Sequence, residues 1–175
     1  MSFIEQLGFF SLSAMSAWGF LMAFFFNIFV YCIDENKRKT TLLISSFIMM
    51  FSYLAGDYFF NWITYTATTF LDWALYDLAT LTFLAISFYF VRRTTPSFIY
   101  LIAGLIINTT LFLSVYVDVE VYQNTTHWIL WDVYSIGVNI VDFTMIIALI
   151  VDRDFLLLNK LKSLVLSSAN NHKLA

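Results

Sequence analysis

Four polar side chains share one face of a long apolar segment near the end of the chain. Within residues 129–151 they are Asp132, Ser135, Asn139 and Asp142, spaced by three, four and three residues. That spacing places them on one side of an α-helix, whose other sides carry Ile, Val, Phe and Leu. A carboxylate at the centre of a membrane-spanning helix opposes insertion by about 2.5–3.5 kcal/mol, so this face is expected to avoid lipid.

Two other apolar segments also carry acidic residues. Asp57 lies in residues 41–60, and Asp72 and Asp77 lie in residues 70–91. No Lys or Arg occurs in these segments or in the last one, so a buried carboxylate there has no basic side chain to neutralise it. Intramembrane acids without a basic partner suit a path for cations or protons. The alternative is that neutral acids, amides and hydroxyls hydrogen-bond between helices, at about 0.6 kcal/mol per bond.

Both interpretations stay open for Asp142, which lies near the middle of its segment. It is protonated, holds a cation or accepts several hydrogen bonds. For the acids nearer the segment ends, solvation or hydrogen bonding between helices is favoured. The polar stripes of the second and third segments also include Tyr53 and Thr80.

The composition identifies the kind of protein in which these acids occur. Hydrophobic residues make up 61% of the chain and charged residues only 12%, about half the charge of a soluble domain. Five segments have the roughly 20 apolar residues that a helix needs to cross a bilayer. They are residues 11–33, 41–60, 70–91, 97–117 and 129–151. Because only helices satisfy the backbone in such segments, we expect an all-α integral membrane bundle over residues 1–152, followed by a tail over 153–175.

The basic residues predict how the bundle is oriented. All nine lie after the first, third or fifth segment: Lys37, Arg38, Lys39, Arg92, Arg93, Arg153, Lys160, Lys162 and Lys173. Positive charge marks the cytoplasmic side of a membrane protein. The pattern therefore predicts a multi-pass protein of the plasma membrane, the inner membrane of a bacterium, with the N-terminus outside and the C-terminus in the cytoplasm.

Short similarities between the two halves are favoured as chance matches among membrane residues, with a duplication as the alternative. The sequence RKTT at residues 38–41 precedes the second segment, and RRTT at 92–95 precedes the fourth. Each opens a helical hairpin whose return helix carries Trp-x-x-Tyr, at 73–76 and 131–134. A duplication would give one helix plus two related hairpins, with the axis along the membrane normal.

The tail over residues 153–175 has the pattern of an amphipathic helix continuous with the fifth segment. Its apolar positions repeat at three and four residues: Leu157, Leu158, Leu161, Leu164 and Val165. Lys160 and Lys162 fall between them. Two roles remain open for this helix. It lies on the anionic inner surface of the membrane, or its apolar face docks a cytoplasmic protein.

Few residues of the chain could perform catalysis or bind a metal. The two histidines are His127 in a predicted outer loop and His172 in the tail, and the single cysteine, Cys32, excludes an internal disulfide. We therefore predict no catalytic residues, cofactor, metal site or direct nucleic-acid contact.

Small residues on the first segment, Ser16, Gly19, Ala23 and Asn27, predict a helix face for close contact within the chain or between copies of it.

By size and layout the chain resembles the small multi-span membrane subunits of two-gene bacterial systems, including phage-defence systems such as Kiwa. In those systems the membrane subunit senses or anchors and a cytoplasmic partner acts. The amphipathic tail, the small soluble mass and the Gly-poor helices favour the same class: a non-enzymatic, homo-oligomeric membrane subunit that anchors or regulates a cytoplasmic partner through residues 153–175. The alternative is a small oligomeric cation or proton channel. Its path would be lined by Asp142, Asn139 and Asp132, with Asp77 and Asp72 at the outer mouth.

Overall fold

A computed structural model describes residues 3–33, 37–63, 69–91, 95–124, 126 and 128–152. Across these ranges the chain is helical and contains no strand, which confirms the all-α prediction. The helices are α1 (Phe3–Ile33), α2 (Lys37–Ile63), α3 (Thr69–Val91), α4 (Pro96–Tyr116) and α5 (Ile129–Val151). A single π-helical turn, Val117–Val121, extends α4.

Four of these helices are long and apolar enough to cross a membrane. The qualifying stretches are Ala14–Ile33, Phe70–Phe90, Pro96–Val121 and Ile129–Val151. In α2 the described apolar stretch, Thr40–Gly56, is shorter. The structure therefore supports a membrane protein, while the fifth crossing, the orientation and the duplication of the two hairpins stay predictions.

The five helices form a closed ring. Each helix packs against the next one in sequence, α5 packs against α1, and α2 also touches α4 across the centre. Because short connections join successive helices, each helix is antiparallel to the next one in sequence, whereas α1 and α5 run parallel. We call the end at which α1, α3 and α5 begin the upper end, and the end at which they finish the lower end.

Two apolar layers fill the ring at different heights. The lower layer is the larger one and is built from Phe20, Ala23, Leu42, Met49, Leu84, Phe98, Leu101, Leu105, Met145, Ile146 and Leu149. The upper layer is centred on Ala74, Phe112, Val115 and Tyr134, with Phe70 and Trp73 packed against it. Polar side chains meet between these two layers.

Two glycines allow other helices to approach α5 closely. A Cβ atom added at Gly104 of α4 would lie 2.5 Å from Sδ of Met145, and one added at Gly19 of α1 would lie 2.5 Å from Cδ1 of Ile146. The small-residue face predicted on α1 packs inside the chain, since Ser16 and Asn27 on it are buried in the bundle. Close packing on both sides fixes the rotation of α5 and the direction in which its polar face points.

The lower end of α5 is held by side chains from two other helices. The amide of Asn27 donates to the carbonyl of Leu149 at 3.2 Å, and the hydroxyl of Ser97 lies 2.7 Å from the carbonyl of Ala148. The same hydroxyl lies 2.6 Å from Oδ1 of Asp152. Asp152 has a left-handed backbone with φ of 45°, which ends the helix at Val151. The tail that was predicted to continue this helix lies in residues 153–175, outside the described part of the chain.

The turn between α4 and α5 is organised by Asp118. Its carboxylate accepts hydrogen bonds from Nε1 of Trp128 at 2.8 Å and from Nδ2 of Asn124 at 3.2 Å. The backbone N–H of Asn124 also donates to the carbonyl of Asp118 at 3.1 Å. These bonds give Asp118 a structural role at the upper end.

Candidate functional site

All five helices contribute a polar side chain to one cluster at the centre of the bundle. They are Ser16 from α1, Tyr53 from α2, Asp77 from α3, Asn108 from α4 and Asp142 from α5. With a rise of 1.5 Å per residue, Asp142 lies about 20 Å along α5 and Asn108 about 18 Å along α4. The cluster is therefore more than two turns of helix away from either end.

Asp142 is the acceptor at the centre of this cluster. Its Oδ1 receives a hydrogen bond from the hydroxyl of Tyr53 at 2.5 Å and another from Nδ2 of Asn108 at 2.8 Å. Ser16 supplies a third side-chain hydrogen bond, and the amide of Asn108 also bonds the hydroxyl of Tyr53. Only 5% of the Asp142 surface is exposed. Three donors from three helices therefore converge on one buried carboxyl group.

Asp77 lies close to Asp142 but has very different surroundings. Its side chain is 8% exposed, and it interacts electrostatically with both Asp142 and Tyr53. No hydrogen-bond partner among the described residues reaches its buried Oδ2. The buried Oδ1 of Asn108 is likewise without a donor in the described part of the chain. The cluster therefore holds two acceptor oxygens that lack a hydrogen.

The sequence offers no basic residue to balance this acid pair. Lys and Arg are absent from residues 1–36, 40–91 and 94–152, which include every described residue around the cluster. Two buried carboxylates that repel each other cannot both stay ionised without a compensating charge. A proton or a cation must therefore neutralise at least one of them.

A pair of hydroxyls joins α2 to α3. Oγ of Ser52 and Oγ1 of Thr80 are hydrogen-bonded to each other. Thr80 donates its single hydroxyl proton to the carbonyl of Tyr76 at 2.8 Å, so Ser52 is the donor in the pair. This hydroxyl pair lies next to Tyr53 and one helical turn from Asp77.

Aromatic rings cover the cluster toward the upper end. The ring of Phe70 lies 5.7 Å from that of Tyr134, and the ring of Phe112 lies 5.5 Å from that of Trp73 and 5.7 Å from that of Tyr134. Toward the lower end the apolar layer around Met49 begins one turn of α2 below Tyr53. The acid pair is thus enclosed between two apolar layers.

The other predicted site residues lie apart from this cluster. Asp132 is exposed, and Nδ2 of Asn139 donates to the carbonyl of Ser135 on its own helix at 2.6 Å. Asp72 is partly buried near the upper end, and no partner for its Oδ2 was found among the described residues. Of the seven polar residues predicted from sequence, the structure places Asp77 and Asp142 together.

The remaining predicted positions fall outside the described part. The side chain of Asp57 is one of them, and so is the whole predicted docking segment in residues 153–175. In the ranges that are described, no group of three or more His, Cys, Asp or Glu residues could hold a metal ion.

Sequence reasoning singled out neither Asn108 nor Ser16 as a site residue. The signal for Asn108 was available, because it is an amide in the middle of the apolar segment 97–117, where a polar group needs a partner. Ser16 gave a weaker signal, since serine in a membrane helix also fits a close-contact face. No protein-family model, curated protein or solved structure matches this chain.

Proposed function

We propose that this chain is a non-enzymatic membrane subunit that holds one exchangeable proton between Asp77 and Asp142. The observation that carries the proposal is the electrostatic interaction between two buried acids in a chain without Lys or Arg near them. A change in protonation changes the charge at the point where all five helices meet. The site therefore acts as a proton-responsive element of the bundle.

Counting hydrogens supports a proton on Asp77. Asp142 already receives three donors, as an ionised carboxylate does. A proton on Asp77 would neutralise the second acid and turn a side chain without a partner into a donor. Two acceptors nearby are the Asp142 carboxylate and Oδ1 of Asn108, which lacks a donor among the described residues. One proton thus removes one of the two negative charges and supplies a hydrogen to an acceptor that lacks one.

The two apolar layers favour a responsive site over a permanently open pore. A water-filled path would need polar groups above and below the cluster. The aromatic rings around Tyr134 lie above it, and the layer around Met145 lies below it. The channel hypothesis then requires a second conformation, in which one of the layers separates.

Infrared spectroscopy of the purified protein in lipid tests the proposal directly. At neutral pH the wild type should show the carbonyl stretch of a protonated carboxyl group, and Asp77→Asn or Asp142→Asn should abolish or shift it. Asp132→Asn is the matched control, since it makes the same change at an exposed position of α5. A wild-type spectrum without the band would refute the proposal, as would a band that both variants leave unchanged.

A second function is favoured by the sequence of the tail. We propose that residues 153–175 anchor or regulate a cytoplasmic protein, as in the two-gene bacterial systems that the chain resembles in layout, phage defence among them. The tail follows directly from α5, the helix that carries Asp142, so a change at the acid pair has a covalent route to it. Self-association and an N-outside, C-inside arrangement in the plasma membrane belong to the same proposal.

A pull-down from the native cell in mild detergent tests this second function. The full chain should retain a soluble partner that is lost on truncation after Asp154. Leu161→Ser with Leu164→Ser should abolish capture if the apolar face docks the partner. Lys160→Ala with Lys162→Ala is the matched control, which should weaken binding to anionic vesicles instead. Equal capture by the full and truncated chains would reject the tail as the docking segment.

A further inference from the structure

The outward face of α5 carries a regular stripe of branched aliphatic side chains. Six of them are exposed by 39–69%: Ile129, Val133, Ile136, Ile140, Ile147 and Ile150. The partly exposed Phe143 completes a spacing of four, three, four, three, four and three residues. A straight helix drifts by about 20° per heptad away from such a repeat. A repeat that is kept along the whole helix is therefore typical of two helices that coil around each other.

The residue types distinguish this stripe from the outward face of α1. Position a of its heptads is occupied by Val133, Ile140 and Ile147, whose branched Cβ atoms leave little rotamer freedom to lose when another helix packs on them. Branched residues at this position are typical of parallel coiled coils. The outward face of α1 carries flexible or aromatic side chains instead, namely Met15, Trp18, Met22, Phe25 and Phe29.

An amide with unused hydrogen-bonding capacity lies beside the stripe. Asn139 is partly exposed and lies about 15 Å along α5 from its first residue, close to the middle of the helix. Its Nδ2 donates to the carbonyl of Ser135 at 2.6 Å, and the amide has no other hydrogen bond within the described part of the chain. A carboxamide has two N–H donors and an accepting oxygen. One donor and the oxygen therefore remain, and lipid chains offer them no partner.

The outward-facing threonines do not have this need. The hydroxyls of Thr82 and Thr110 each donate their only proton to the carbonyl four residues earlier, at 2.8 Å. Thr144 donates to the carbonyl of Ile140 in the same way, so its oxygen is left as an acceptor. Thr144 lies five residues after Asn139 and on the opposite side of the stripe. In a parallel coiled coil, that spacing brings the first residue of one helix beside the second residue of the other.

We propose that the outward face of α5 binds a second copy of this chain in the same orientation, with Asn139 donating to the partner's Thr144. The symmetry of the assembly repeats this bond in each copy. Helices associate in a membrane through close packing and hydrogen bonds between them, and the stripe supplies the packing while the amide supplies the bond. The inference rests on the self-association included in the proposed function. It is independent of the proton site, because Asp142 is buried on the inward face of α5.

Hydrogen-bond complementarity favours a second copy over lipid as the occupant of this face. An acyl chain packs well on the apolar stripe, but it leaves the amide of Asn139 without a partner in the middle of the membrane. A second copy brings an identical stripe and an acceptor at the required position, the oxygen of Thr144. One sequence thus provides both halves of the contact.

Cysteine cross-linking in lipid vesicles tests the contact. In a Cys32→Ser background, mild oxidation should join Ile140→Cys into a covalent dimer, because residues at position a meet their counterparts in a parallel coiled coil. Ile107→Cys is the matched control, since it makes the same change on the outward face of α4, also near the middle of its helix. It should not cross-link.

Förster transfer between labelled copies, measured as the vesicles are diluted with lipid, gives the strength of association. Asn139→Leu and Thr144→Val should each weaken it at least about tenfold, because each removes one side of the proposed bond. Thr110→Val is the matched control, as it removes an outward hydroxyl from α4 and should leave association unchanged. Circular dichroism should show the helix content of the wild type in every variant.

The possible failures can be told apart. A monomeric wild type in lipid would refute self-association as a whole, and this inference with it. Self-association without cross-linking of Ile140→Cys, or with equal cross-linking of Ile107→Cys, would reject this face of α5. Unchanged association of Asn139→Leu would reject the role of the amide. The protonated-carboxyl band tests the acid pair separately, since Asn139→Leu should leave it as it is in the wild type.

Discussion

Replacing Asp142 by asparagine and by alanine separates its charge from the hydrogen bonds that it accepts. The bonds from Tyr53 and Asn108 both end on Oδ1. Asparagine keeps an oxygen at this position and loses the charge, while its NH₂ group takes the place of Oδ2. Alanine removes every acceptor and leaves the donors of Tyr53, Asn108 and Ser16 without a partner.

The stability that Asp142→Ala should lose follows from the number of hydrogen-bond donors left without an acceptor. Hydrogen bonds between membrane helices contribute about 0.6 kcal/mol each, so the loss of three lowers the free energy of unfolding by about 2 kcal/mol. That is roughly a thirtyfold change in the folding equilibrium. Asp142→Asn should stay within about 0.5 kcal/mol of the wild type, because it keeps the bonds to Oδ1.

Reversible unfolding by sodium dodecyl sulfate in mixed micelles, followed by tryptophan fluorescence, measures both variants. Asp132→Ala, at an exposed position of the same helix, should change the free energy of unfolding by less than about 0.5 kcal/mol. If Asp142→Asn loses as much stability as Asp142→Ala, the charge stabilises the bundle and the assignment of Oδ1 as the essential acceptor is refuted. Wild-type stability of Asp142→Ala would refute it equally.

Three further predictions concern the packing and the orientation of the bundle. Asn108→Leu should lower the free energy of unfolding by about 1 kcal/mol, because Asp142 loses a donor; an unchanged value in the same titration would contradict the contact. Gly104→Ala should lower the free energy of unfolding by about 1–3 kcal/mol, because the added methyl group overpacks against Met145. In a double-mutant cycle, Met145→Ala should restore part of that loss, whereas strictly additive losses would show that the two residues do not touch. In a Cys32→Ser background, cysteine at Glu120 should react with an impermeant maleimide on intact cells; reaction only after permeabilisation would reverse the orientation.

Much of the fold could be predicted because its causes lie within single segments. Five apolar stretches of sufficient length specify helices wherever they occur in lipid, and α5 covers the segment predicted from residues 129–151. The start of α4 is also local in origin, since Thr95 caps the helix and Pro96 is its first residue. The left-handed turn at Asp152 was not predicted, because the hydroxyl of Ser97, which holds its side chain, lies 55 positions earlier in the chain.

The candidate site could be predicted only in part. Helical spacing correctly indicated that Asp142 must avoid lipid, but the same spacing put Asp132 and Asn139 beside it. In the structure Asp132 is exposed and Asn139 bonds its own backbone. One face of a helix is wide enough that residues on one side of it are buried in the bundle while residues on the other side are exposed. Which side is buried depends on how the neighbouring helices are rotated.

The sequence by itself determined the class of this protein and showed that acids in its apolar segments need compensation. Its apolar segments require a helical membrane bundle, and acids without Lys or Arg in those segments require a proton, a cation or shared hydrogen bonds. The tertiary structure alone decided which groups meet. It brings Asp77 to Asp142 and places Tyr53, Asn108 and Ser16 on the latter's carboxyl group. Helical periodicity determines which side chains share a face of one helix. These contacts depend instead on the heights and rotations of five helices packed together.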